Sequence, residues 1–131
     1  PNNDSDLYLS IPTGTWEVVG SFFVAAGDTE PDFYACWTST GDVVFESRRN
    51  CHGPAYNITD ASEALMRTAG YNSGTKCHYG IEGSRVSCIV ERFLVSSTAG
   101  TGQIEFKWSQ KHSSTTYVSV EGGSYIKASK L

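Results

Sequence analysis

Two dipeptides, Cys51-His52 and Cys77-His78, are the residues of this chain best equipped for chemistry. Two thiolates and two imidazoles match the donor set of a tetrahedral zinc site. Their spacing argues otherwise. Neighbours on an extended backbone point to opposite faces, and no Cys-x-x-Cys pair is present. No metal site is expected, and the histidines read as exposed. Cys36 and Cys88 bring the cysteines to four, an even count that allows two disulfides in any of three connectivities, or simply free thiols. If bridges form, the layout favours Cys51 with Cys77 in the irregular middle and Cys36 with Cys88 between strands; intermolecular bridges are a further option. His112, in the polar stretch Lys111 to Ser114, reads as a solvated turn residue.

Catalytic arrangements are not visible. Serines are many, but none stands in a Gly-x-Ser-x-Gly elbow. Glycosidase chemistry needs two carboxylates across a cleft, whereas Glu91 and Glu105 lie in strand-like runs and read as solvated outer-face residues. The glycines form no phosphate-binding loop ahead of a helix. No catalytic residue, no cofactor and no enzymatic activity are expected. Trp16, Trp37 and Trp108 fall in phase with apolar neighbours and read as core. Tyr56, Tyr71 and Tyr79 lie in the irregular middle and are the candidates for an exposed recognition surface. Asn3-Asp-Ser5 and Asn57-Ile-Thr59 match the glycosylation sequon, which counts only in a secretory pathway.

The elements that must position these residues follow from periodicity. At 131 residues the chain is read as one domain, 1–131, long enough to bury a core. Leu7, Leu9 and Ile11 alternate up to Pro12. Thr15 to Ala25 is a long strand, with Trp16, Val18, Phe22 and Val24 on one face and Val19 and Phe23 on the other; Gly20 marks a bulge or a close approach. Strands follow over Asp32 to Ser39, Val43 to Phe45 and Arg85 to Val95. Asp60-Ala-Ser-Glu63 could cap one short helix through Arg67, with a strand containing Leu65 as the alternative. Gln103 to Gln110 alternates strictly. A strand over Thr116 to Val120, a reversal at Gly122-Gly123 and a strand from Ser124 to Leu131 complete the series. The fold class is therefore all-β, an antiparallel sandwich or jelly roll. A net charge of −4 with scattered basic residues argues against a nucleic-acid partner. No apolar run is long enough for a membrane span.

The order of certain residues adds a resemblance. Asp6-Leu7-Tyr-Leu-Ser-Ile-Pro12, Gly14-Thr-Trp-Glu-Val18 with Phe22-Phe23, and Pro31-Asp-Phe33 carry it at one end. Ala99-Gly100-Thr-Gly-Gln103, Phe106-Lys-Trp108-Ser-Gln110 and Gly122-Gly-Ser-Tyr-Ile-Lys-Ala128 carry it at the other. These stretches resemble a family of bacteriophage structural domains with a jelly-roll head similar to the tumour-necrosis-factor type. The resemblance skips the middle, and the cysteines are not part of it. It implies a homotrimer in a tail fibre, head fibre or capsid decoration, assembled in the host cytoplasm, located in the virion and contacting other virion proteins such as capsid or tail. Tyr117, Tyr125 and Phe23 are then the expected intersubunit contacts. Strands apolar on both faces give a physical reason for such packing. Only Pro1 to Ser5 precede the first matching stretch, so a C-terminal fragment or a compact stand-alone protein is expected. Two rivals stand beside this reading: a receptor-binding fibre tip that recognises host cell-surface glycan, and an extracellular, secreted recognition domain of cellular origin.

Overall fold

The computed structural model describes residues 2–26, 33–54, 64–69, 74–81, 86–110 and 118–131. Eleven strands are found there: β1 (Asn2–Ser10), β2 (Gly14–Ala26), β3 (Phe33–Thr40), β4 (Val44–Phe45), β5 (Arg49–Pro54), β6 (Ala64–Ala69), β7 (Cys77–Tyr79), β8 (Ser87–Ser97), β9 (Gln103–Gln110), β10 (Val118–Val120) and β11 (Tyr125–Lys130). The smaller sheet has the order β1-β9-β3-β7, and the larger one β10-β2-β8-β5-β6, with β11 also on β2 and β4 on β8. Every pairing is antiparallel. Leaving aside β4, β10 and β11, the chain alternates between sheets except at the β5–β6 pair. This wrapping is a jelly roll.

Period-2 alternation builds the core. Val18, Phe22 and Val24 of β2 and Ile89, Phe93 and Val95 of β8 face Phe33, Ala35 and Trp37 of β3 and Ile104 and Phe106 of β9, all buried. The Phe22 and Phe106 rings stack with centroids 3.8 Å apart. Burying each large side chain contributes roughly 1.5–3 kcal/mol before conformational entropy is charged against it. Trp37 is fully buried, while Trp16 and Trp108 pack on the core from partly exposed positions. Gly20 is a close approach rather than a bulge, because β2 stays in register with β8 throughout. A Cβ at Gly20 would lie 2.6 Å from the Phe22 ring and 2.8 Å from Trp37.

Two expectations are corrected. The short helix is the first: Ala64 to Ala69 forms the strand containing Leu65 that stood as its alternative, paired residue for residue with β5. So short a helix is marginal in water, and β5 has a free edge that this segment satisfies. Asp60 to Glu63 lie outside the described residues. The second correction concerns Gly122-Gly123, which does not reverse the chain. Val118 to Val120 pair with Ala26 to Val24, and Tyr125 to Lys130 continue in the same direction along Ser21 to Trp16. Residues 121–124 are a bulge in one long edge strand. Glu121 N donates to Phe23 O at 2.7 Å and Ser124 Oγ accepts from Phe23 N at 2.9 Å, so the bulge stays fastened to β2. Gly123 takes φ +92°, a left-handed conformation that favours glycine.

At one end of the sandwich Asp42 ties the β3–β4 turn to the β8–β9 loop. Its carboxylate accepts from Ser97 Oγ at 3.0 Å, Thr98 N at 2.7 Å, Thr98 Oγ1 at 3.1 Å and Ala99 N. The bond from Ala99 N and the hydroxyl bonds of Ser97 and Thr98 hold this carboxyl well below its ordinary range. A depressed carboxyl stabilises the fold fully above its unfolded pKa of about 4 and loses that contribution as pH falls. Thermal unfolding of Asp42→Asn should therefore show a lower Tm than the parent at pH 7, with the gap closing as pH drops below about 4. A pH-independent gap would count against the charge as the cause.

Candidate interaction face and buried polar cluster

Glu91 stands in the inward phase of β8, between Ile89 and Phe93, and is fully buried. Its assignment to a solvated outer face is thus corrected. A buried carboxylate needs partners, and both sheets supply them. Trp37 Nε1 of β3 donates to Oε1 at 2.9 Å, and Tyr79 OH of β7 donates to Oε2 at 2.6 Å. From β5, Arg49 Nε lies 2.6 Å from Oε1. The remaining guanidinium nitrogens donate to Thr75 O at 2.9 Å and Ala35 O at 3.2 Å. Burial is the largest single influence on Arg49 and lowers its pKa, but the Glu91 charge together with the Cys51 and Cys77 thiols outweighs it, and the net direction is upward. Burial, then the Glu91 charge, pushes the Tyr79 phenol far up, so it remains a donor. Tyr79 was a candidate for the recognition surface; it is 1% exposed and belongs to this core instead.

The cluster includes two thiols. Cys51 on β5 and Cys77 on β7 point inward, and their sulfurs and a Glu91 oxygen all lie within 4.8 Å of one another. A hydrogen bond with the Cys77 thiol, then burial, raises the Cys51 pKa strongly. His52 is exposed on the opposite side of β5, and the His78 ring lies against Tyr34 at 4.6 Å. The two Cys-His pairs therefore do not converge. Cys36 and Cys88, the other pair considered for a bridge, point away from the core of different sheets. Cys36 is buried beside Lys107 on the smaller sheet, its thiol raised by burial, and Cys88 is exposed opposite Phe23 on the larger. Two sheet layers, about 10 Å apart, separate them.

The outer side of the larger sheet is a different kind of surface. Phe23 is 36% and Tyr125 47% exposed there. Tyr125 sits opposite Ser21, which sits opposite Val90; Lys127, Val19 and Arg92 form the next row. Leu94 lies opposite Glu17 one row further on. Beyond Val90 a shallow hollow is lined by Asn50, His52, Val90 and Arg92. The face thus joins aromatic and aliphatic groups to both signs of charge. Of the expected contact residues, the structure places Phe23 and Tyr125 together on this face, whereas Tyr117 lies outside the described residues. So do Tyr56, Tyr71 and His112.

Arg49 was not singled out by sequence, although the inward phase of Arg49, Cys51 and Gly53 is a period-2 signal. Comparison with protein-family models, with curated proteins and with solved structures finds no match for this chain.

Proposed function

We propose that this chain is a structural module of a bacteriophage virion, a homotrimeric jelly roll that serves as capsid decoration or as the head of a fibre and stands on other virion proteins. The observation that carries the reading is the exposed outer face of the larger sheet. Phe23 and Tyr125, with Val19, Val90 and Leu94 beside them, are costly to leave in water. Glu17 lies on the same face as Lys127 and Arg92, so a second copy can offer opposite charge to each row. Three-fold closure covers such a face on every subunit. The terminal motifs quoted above supply the assignment to phage particles.

Sedimentation of the chain at micromolar concentration tests this. The parent should sediment as three copies. The double variant Phe23→Asp and Tyr125→Asp should sediment as one, with an unchanged far-ultraviolet circular dichroism spectrum. A parent that stays monomeric across that range would overturn the trimer.

A further inference from the structure

At one edge of the sandwich the two sheets come within backbone contact. Gly80 N donates to Pro54 O at 3.2 Å, joining the end of β7 to the end of β5, where stacked sheets ordinarily stand about 10 Å apart. Next to it Gly53 faces the Tyr79 ring so closely that a Cβ would lie 2.7 Å from it. Three residues before Pro54 and Gly80 come Cys51 and Cys77, both buried, with sulfurs within 4.8 Å of each other. The strands that carry them are therefore already fastened at short range, in different sheets.

We propose that Cys51 and Cys77 form a disulfide on oxidation, a covalent staple between the two sheets at the β5–β7 edge. The oxidant is a small disulfide of the glutathione type. One cysteine attacks it as thiolate and expels the first small thiolate. The second cysteine then attacks the mixed disulfide and expels the other. Two protein thiols and one small disulfide become one protein disulfide and two small thiols, and the two protons pass to the released thiolates. A metal ion is the rival use of this cluster. Glu91 opposes it: Trp37 and Tyr79 donate to its oxygens, and the Arg49 guanidinium stands 2.6 Å away, so an entering cation meets a fixed positive charge. The hydrogen bond between the thiols and their burial keep thiolate scarce in the closed sandwich, so exchange requires this edge to open.

The test uses the whole chain in a glutathione redox buffer, with and without a sub-denaturing concentration of urea, quenched by alkylation and mapped by peptide mass spectrometry. The expected product is a Cys51–Cys77 linked peptide, formed several-fold faster in urea, with Cys36 and Cys88 still alkylated. Its formation should raise Tm by roughly 5–15 °C, and a dithiol reductant should reverse the rise. Cys51→Ser should abolish both the linked peptide and the redox dependence of Tm. Mapping of the parent decides the question even if that variant folds poorly. Full alkylation of Cys51 and Cys77 after oxidation, linkage to Cys36 or Cys88 instead, or a stoichiometric zinc ion that shields the two thiols would each overturn the proposal.

Discussion

Glu91→Ala should destabilise the sandwich by about 3–5 kcal/mol, the cost of leaving a buried charge without its partner. Arg49 is 3% exposed, and without the carboxylate its guanidinium keeps the Thr75 and Ala35 carbonyls but no counter-charge among the described residues. The Tyr79 hydroxyl and the Trp37 indole N–H lose their acceptor as well. Against a typical total stability of 5–15 kcal/mol that loss is severe. Glu91→Gln retains an acceptor for one of these donors and should fall between Ala and the parent. Removing both charges is a different matter. Arg49→Met with Glu91→Leu exchanges a desolvated pair for apolar volume, and such exchanges are often neutral or stabilising. Urea unfolding of the two singles and the double gives the coupling directly. A double variant as unstable as Glu91→Ala would show that the polar contacts to Tyr79 and Trp37, rather than the stranded guanidinium, dominate.

Trp37→Ala should be about as damaging, at about 3–5 kcal/mol. The indole is fully buried and lies at the centre of the aromatic core. It is edge-on to Phe93 at 4.9 Å and to Phe106 at 5.2 Å, and it is tilted against Phe22 at 5.9 Å. Truncation removes these contacts and leaves a cavity that both sheets would have to collapse to fill. Trp37→Phe separates the two roles of the side chain. It keeps most of the packing, gives up the smaller ring of the indole, and deletes the N–H bonded to Glu91, a bond to a charged acceptor expected to contribute about 1.5–3 kcal/mol. Denaturant midpoints of the two variants measure the split. If Phe costs as much as Ala, the hydrogen bond outweighs the packing.

The strands on either side of the middle were legible because their two faces differ. Gln103 to Gln110 alternates so strictly that periodicity alone puts Ile104 and Phe106 on the core face, where both are buried. The long β2 was legible for the same reason, down to Val19 and Phe23 on its outer side. Glu91 was misplaced because residue type was allowed to outweigh phase: it shares the phase of Ile89 and Phe93, and period 2 puts it inside. The strands β5 and β7 were hidden by chemistry atypical of strands, and β6 was legible only as the alternative to a short helix. Gly53 and Pro54 are poor strand formers, and their places are set by partners far along the chain. The continuous β10–β11 edge was illegible because a Gly-Gly pair signals a hairpin, while the bonds to Phe23 that cancel the reversal are tertiary.

That continuous edge bears on how the protein is made. Strand β2 finds its neighbours in β8 on one side and in β10 and β11 on the other, all of them synthesised long after it. While the ribosome works through the intervening segments, β2 emerges with Phe22 and Phe23 on its two faces and both backbone edges unpaired. Loop closure over such spans is slow, so the larger sheet closes only once β11 has been made, and crowded nascent chains are most exposed to mispairing along β2 until then.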